Sequence, residues 1–502
     1  MKNIIKNSND YGKLAILIGT LILVPLVILP FYSEDIKYTA SFLIPGGISL
    51  ILGFAICILS KHNNDAAGWH KSVQSGSFTV LFAWGYGFLM GALPFVLSGQ
   101  LTFLRALFEA VSGWTTTGLS VMDVSITPKI FLFHRGFMQF CGGLGFIMMM
   151  VMLVQGKESM NLYSAEGHPD KLMPNLKKTA RTIFLMYVSF LFIGTILYTM
   201  FGMELFDSIL HSMCSLSTGG FSTKLNSIGE YNSFPIEIIT IILMLIGTTN
   251  FAVLLLAAKR NWKQFFKVSE IRFMIGLLLI ATPLIAVSLK STLGVTTEKG
   301  FQMALFDGVS ALSTTGYSSM SYTTWPPFAI GMLIVLMIIG GGIGSTAGGM
   351  KMSRVYLMCR ITIENIRKRL WPARWVSAPQ YVRAQGKTFI DESTINDTSG
   401  FVFCYIMIFV AGSLMLTLTA NCTITEAMFE FSSALGTVGL SIGVTSAAAT
   451  NGTLIIEIIG MILGRLEIFI VITGIYSFVS LTKERLSKKA EIRKTKLRFL
   501  KD

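Results

Sequence analysis

Long apolar runs alternate with short polar intervals along the chain. Tyr38–Ser60, Gly136–Gly156, Thr182–Met203 and Ile238–Ala258 contain no charged residue. Each is long enough, as a helix, to cross the ~30 Å hydrocarbon core of a bilayer. Gly308–Met350 is equally free of charge and too long for one crossing. Leu454–Leu481 reads as a further apolar helix. The first run, Leu14–Ser33, lacks a small-residue cleavage site near its end and is soon followed by another run. It reads as a retained helix rather than a signal peptide. The pattern predicts an all-α polytopic membrane protein of about ten transmembrane helices.

A short polar stretch recurs between these runs. Aligned on Gly118, Gly220, Gly316 and Gly439, a threonine stands two residues before each glycine (Thr116, Thr218, Thr314, Thr437). A bulky apolar residue follows (Leu119, Phe221, Tyr317, Leu440), then serine (Ser120, Ser222, Ser318, Ser441). Nine residues before each glycine is an ionisable group (Glu109, His211, Asp307, Glu430), preceded by Phe108, Leu210, Phe306 or Phe429. Six before it is a small residue: Ser112, Cys214, Ser310 or Ser433. One copy means little; four in register define an internal repeat.

Each copy has an apolar helix, a short amphipathic stretch, the Thr-x-Gly segment and a second apolar helix. The stretch is too short to span, so it reads as a re-entrant helix, with the glycine segment returning outward. Irregular backbone at membrane depth survives only when buried in protein or lining a water-filled path. The ionisable groups are expected at the start of the short helix, on its positive dipole end, leaving the negative end to favour a cation. Four such segments around one axis would form rings of oxygens able to replace the water shell of a potassium ion. Packing of small residues between helices is the plainer account of any one stretch, but not of four in register.

Composition agrees with a membrane setting. The chain is 52% hydrophobic and 14% charged, against about 25% charged in soluble domains, with a mean hydropathy of +0.64. The net charge of +14 does not point to nucleic acid. Lys and Arg gather in Lys157–Arg181, Lys259–Arg272, Lys351–Lys387 and the tail from Lys483, with poor intervals between. That is the positive-inside pattern, which puts both termini in the cytoplasm and the basic loops against anionic lipid. Six cysteines without CxxC spacing imply no zinc site or disulfide framework. Five scattered histidines, without HExxH or a nucleophile elbow, give no enzyme signature. A secondary transporter of an organic substrate would call for inverted halves and intramembrane carboxylates, not four same-sense repeats.

Two further features lie at membrane depth. Gly340–Gly349, "GGGIGSTAGG", interrupts the apolar helix that begins near Pro327. No GK[ST] follows and no strand precedes it, so it is not a phosphate loop. It reads either as small-residue packing or as a flexible loop beneath the third filter that blocks the path, formed by Gly340, Gly341, Gly342, Gly344, Ser345, Thr346, Ala347, Gly348 and Gly349. Arg465 sits inside an apolar helix, where a charge is costly unless paired or facing water. It reads either as a structural contact or as an electrostatic barrier working with the loop. Arg135, nearer its helix start, reads as snorkelling or capping rather than as a site.

With "FMQFCGGLGFI", "IGTTNFAVLL", "GGGIGSTAGGMK" and "GRLEIF" following the four segments in turn, the chain resembles the bacterial and fungal Trk/Ktr potassium transporters, related to the plant HKT transporters. Two extra N-terminal helices make it similar to the TrkH/TrkG branch. The resemblance covers nearly the whole chain. It implies a two-helix segment (1–66), pore repeats at 67–156, 157–262, 263–370 (second helix broken) and 371–482, and a basic cytoplasmic tail (483–502). It also implies potassium uptake across a bacterial inner membrane, through backbone carbonyls of Thr116, Thr117, Gly118, Thr218, Gly219, Gly220, Thr314, Thr315, Gly316, Thr437, Val438 and Gly439. Gly340–Gly349 would then be the intramembrane gate. The resemblance further implies a homodimer and a cytosolic TrkA-type regulatory subunit, which would carry the nucleotide, NAD(H) or ATP/ADP; no cofactor is expected in this chain. Glycine in all four filters favours potassium over sodium. Thr117 and Gly219 depart from Thr-Val-Gly, which leaves a less selective Na+/K+ permease or a cation symporter as the alternative.

Overall fold

The computed structural model describes residues 10–61, 73–145, 176–370, 379–476 and 479. Two helices lead the chain, α1 (Asp10–Leu23) and α2 (Thr39–Lys61). Glycines bring them close: a Cβ on Gly12 or Gly19 would run into the backbone of α2, the small-residue crossing favoured in lipid.

Four helix–loop–helix units follow. The first has α3 (Val73–Leu97), a short pore helix α4 (Phe103–Trp114) and α5 (Lys129–Leu144). The second has α6 (Leu176–Met200), pore helix α7 (Leu205–Leu216), α8 (Phe234–Thr248) and α9 (Phe251–Ala258). In the third are α10 (Ser269–Leu293), pore helix α11 (Thr297–Ser313), α12 (Pro327–Ile339) and the amphipathic α13 (Met352–Leu370). The fourth has α14 (Glu392–Thr419), pore helix α15 (Ile424–Gly436) and α16 (Asn451–Arg465), with helix again over 468–476. Local chemistry starts several of them. Thr296 caps α11, Asp391 caps α14 and Thr450 caps α16 through side-chain oxygens, and Thr423 forms a capping box with Glu426 at α15.

The second helix of each unit packs on its own pore helix and on that of the next unit. Helix α5 touches α4 and α7, α8 touches α7 and α11, α12 touches α11 and α15, and α16 touches α15 and α4. The last contact returns to the first unit, so the four units close into a ring. Among the described residues six helices are long and apolar enough to cross a membrane, or seven with the bent pair α8–α9 counted as one.

Three continuous spans expected from the sequence end early. Helix α5 stops at Leu144, with Gly145 at φ 78°, rather than running through Gly136–Gly156; residues 146–156 lie outside the described residues. The run Ile238–Ala258 breaks at Thr249–Asn250 with a bend of 115°. Leu454–Leu481 breaks after Arg465, where Glu467 has φ 58°. With Gly340 (φ 68°), the second helix of every unit stops short of the expected span, not only that of the third unit. The freed backbone groups of the second and third units satisfy each other. The Gly342 amide donates to the Thr248 carbonyl (3.0 Å) and the Phe251 amide to that of Gly344 (3.2 Å). This is what makes a double break tolerable without water. A two-stranded hairpin, β1 (Gln380–Arg383) with β2 (Gly386–Phe389), is an addition the sequence did not signal. It rests on α10, where the Val382 amide donates to Ser269 Oγ (3.0 Å).

Candidate functional site: a ring of four threonine–glycine segments

Each segment leaves its pore helix in the same manner. Thr116, Thr218, Thr314 and Thr437 all adopt the left-handed region, with φ between 50° and 56°. The amides of Thr117, Gly219, Thr315 and Val438 then fold back onto the carbonyls of Ser112, Cys214, Ser310 and Ser433, at 2.8–3.0 Å. Gly118, Gly220, Gly316 and Gly439 follow at φ 95°, 74°, 83° and 103°, a region closed to most side chains, so glycine is required here.

Neighbouring segments meet through these glycines. A Cβ on Gly118 would strike the Gly219 carbonyl oxygen, one on Gly220 that of Thr315, one on Gly316 that of Val438, and one on Gly439 that of Thr117. The contacts run from the first segment to the fourth and back to the first. Every segment therefore presents the carbonyl of its middle residue to a neighbour's glycine around one closed ring, with no side chain intervening.

The ionisable group nine residues upstream does not lie at the helix start. Glu109, His211 and Glu430 lie in the middle of α4, α7 and α15, and Asp307 is past the middle of α11. Their common task is to hold the strand that leaves the ring. Glu109 accepts from Ser120 Oγ and the Val121 amide, both at 2.7 Å. Glu430 accepts from Ser441 Oγ (2.7 Å) and from the amides of Ile442 and Thr445 (3.1 and 3.0 Å). His211 Nε2 pairs with Ser222 Oγ (2.9 Å). Asp307 takes the Ser319 amide and hydroxyl and the Tyr322 hydroxyl, so its partner is shifted one residue beyond Ser318.

Two residues of α5 reinforce the first and second segments, and the sequence reading missed both. Arg135 is neither snorkelling nor a cap. It is 2% exposed, its Nε donates to Glu109 Oε2 (3.0 Å), its Nη2 donates to Ser120 Oγ (2.7 Å), and its guanidinium lies 4.0 Å from the Phe221 ring centroid. Gln139 donates through Nε2 to the Gly219 carbonyl (2.5 Å) and accepts through Oε1 from the Phe221 amide (3.0 Å). A carbonyl oxygen has two lone pairs, so this bond leaves the Gly219 oxygen one more to offer.

The glycine-rich run Gly340–Gly349 forms a compact loop against the C-terminal ends of the pore helices. Its neck is pinched between Gly340 and Gly349, both at positive φ, where the Gly341 amide donates to the Gly348 carbonyl (3.2 Å). The Thr346 amide donates to the Gly247 carbonyl (3.1 Å), and its hydroxyl lies between the carbonyls of Leu216 and Gly247 (3.0 and 2.9 Å). The loop also reaches the threonine ring: Thr346 Oγ1 is 3.2 Å from Thr218 Oγ1, and the Gly348 amide donates to Thr314 Oγ1 (2.8 Å). The hydroxyls of Thr116 and Thr437 are buried and find no hydrogen-bond partner among the described residues. A Cβ on Gly348 would strike Thr437 Oγ1, so the loop is wedged against the fourth segment as well.

Two cations hold this loop. Arg465 donates to the Thr346 carbonyl (2.8 Å) from Nη1 and to the Gly142 carbonyl of α5 (2.6 Å) from Nη2. Lys351 Nζ donates to the Ala347 carbonyl. Glu467 pairs with Arg354 instead of Arg465 (2.8 Å). Lys351 was legible only as part of a basic cluster; the sequence gives no sign that it folds back onto the loop. Among the described residues no three metal-ligating side chains gather.

A family model described as TrkH, a cation transport protein, matches residues 48–479. The chain is 31% identical over 481 residues to the Trk system potassium uptake protein TrkG of Escherichia coli K12, covering 92% of this chain and 95% of that one. It is 28% identical over 475 residues to the Trk system potassium uptake protein TrkH of Halomonas elongata, covering 91% and 96%. The crystal structure of the potassium transporter TrkH from Vibrio parahaemolyticus superposes with a TM-score of 0.80 at 25% identity, over 94% of this chain and 97% of that one. These relatives are transport proteins, not enzymes.

Proposed function

The chain belongs to the TrkH family of cation transport proteins, and from that premise we propose that it takes up potassium ions through the ring of threonine–glycine segments. The closed ring of four equivalent middle-residue carbonyls carries this reading. Ions would be passed between the carbonyls of Thr116 to Gly118, Thr218 to Gly220, Thr314 to Gly316 and Thr437 to Gly439, each layer standing in for water. The relatives' names, as potassium uptake proteins, support the choice of ion. Expression in a bacterium stripped of its own potassium uptake should restore growth at low external potassium. A chain present in the membrane that restores nothing would contradict the proposal.

The loop Gly340–Gly349 and Arg465 are read as the gate. The loop engages two of the four ring threonines on the inner side, and two cations lie beside it where an ion would leave. Bonds from a charged group contribute about 1.5–3 kcal/mol each. Arg465→Ala should therefore raise rubidium uptake at least about tenfold while the protein elutes as a folded species. Unchanged uptake by folded protein would assign Arg465 to structure alone. Control of this gate would come from a companion: the relatives are named as proteins of a Trk system, which fits a cytosolic, nucleotide-binding subunit. The division into a two-helix segment and four pore repeats is proposed with the units serving as quarters of one pore; the basic tail, 483–502, lies outside the described residues. A homodimer in the cytoplasmic membrane, with both termini inside, fits the family resemblance and the placement of Lys and Arg.

A further inference from the structure

The second segment is the one whose middle residue lacks a side chain. Its counterparts are Thr117, Thr315 and Val438, and here stands Gly219. The space is not empty. A Cβ built on Gly219 would overlap the amide carbon, oxygen and Cγ of Gln139. Gln139 is fully buried and holds the segment at two points, the Gly219 carbonyl and the Phe221 amide. One turn earlier on α5, Arg135 ties Glu109 and Ser120 of the first segment and lies over the Phe221 ring of the second.

Counted from its own ring glycine, Gln139 is 21 residues on. The residues at the same distance in the other units are Ile241, Met337 and Gly460, none with a polar side chain. The arrangement is thus particular to the junction of the first and second segments. A β-branched middle residue stiffens its own backbone. Glycine does the opposite, so the second segment needs support from outside its own chain stretch. Gln139 gives it, and the missing side chain at Gly219 is what makes room.

We propose that Gln139, supported by Arg135, is a positioning residue that fixes the Gly219 carbonyl and thereby sets discrimination between potassium and sodium. This rests on reading the ring as the ion path. Sodium needs its oxygens closer than potassium does, so a carbonyl released from its tether would follow the smaller ion inward. Gln139→Leu keeps most of the bulk and loses both hydrogen bonds. Gln139→Ala with Gly219→Val transfers the missing side chain to the segment itself, as in the fourth unit.

The test is rubidium-86 uptake into liposomes holding the full chain, with potassium or sodium as competitor, alongside elution profile and melting temperature. Loss of two ordinary hydrogen bonds corresponds to about a tenfold change. In Gln139→Leu the potassium-over-sodium preference, read as the ratio of the two competitor concentrations that halve uptake, should fall about tenfold, and the double variant should regain most of that preference. Arg135→Lys, which keeps the charge but not the fork, should shift the preference in the same direction by less. A folded, conducting Gln139→Leu with the parent's preference would overturn the proposal. So would loss of folded protein in both Gln139 variants, which would make the residue a folding contact only. A parent chain without preference between the ions would instead overturn the reading of the ring.

Discussion

Deleting Ser345–Gly348 should raise rubidium uptake by the reconstituted chain about tenfold or more, the largest gain of any change considered. The segment carries the Thr346 bonds to the Leu216 and Gly247 carbonyls, the Gly348 bond to Thr314, and the acceptor of Arg465. At about 1 kcal/mol for each ordinary hydrogen bond and about 1.5–3 kcal/mol for the one from Arg465, the contacts come to several kcal/mol, more than the ~1.4 kcal/mol that a tenfold shift requires. The deletion also frees the hydroxyls of Thr218 and Thr314 to join those of Thr116 and Thr437. Its effect should exceed that of Arg465→Ala, which removes only one of the loop's anchors. Flux equal to the parent's, in folded protein, would reduce the loop to packing.

The largest loss is expected from Gly439→Ala. Gly439 has φ 103°, and a Cβ there would strike the Thr117 carbonyl across the ring. Backbone forced into such a region costs about 1–3 kcal/mol, which lowers the conducting population about 5- to 150-fold. Gly443→Ala is the control. Its φ is 104°, but a Cβ there would meet nothing within 4 Å. It should destabilise the protein to a similar degree and leave ion flux nearly intact. Equal loss of uptake in the two variants would mean that backbone strain, not the ring, is being measured.

The repeated unit was legible because its signals are local. Gly118 and its three counterparts need backbone angles that restrict residue type wherever they occur, whereas threonine recurs at Thr116, Thr218, Thr314 and Thr437 in spite of its left-handed angle there. The residues nine positions upstream were recognised as part of the unit but given the wrong task. Glu109 and Glu430 hold the outgoing strand rather than a helix end, a contact between residues eleven or more apart that helix periodicity does not reveal.

The breaks were harder to see. "IGTTNF" is apolar enough to continue a helix, and Thr249–Asn250 breaks there because the third unit's loop supplies partners for Thr248, Asn250 and Phe251. Gln139 and Arg135 lie in a helix read as a plain span. Gln139 acts on the second segment, about eighty residues on, and Arg135 on Glu109 and Ser120 of the first as well as on Phe221 of the second, so neither role shows in helix periodicity. Gly219 is the exception: its departure from the Thr-Val-Gly pattern was visible in the sequence, and it marks where another helix reaches in.

Competition in liposomes tests the ion path through the ring most directly. Rubidium-86 uptake by the purified chain, and by the chain lacking Ser345–Gly348, would be measured with potassium or sodium outside. The ring of carbonyls predicts that potassium suppresses uptake at far lower concentration than sodium, in both proteins alike, since the loop lies below the ring and takes no part in sorting. Equal suppression by the two ions, or no uptake even without the loop, would contradict it.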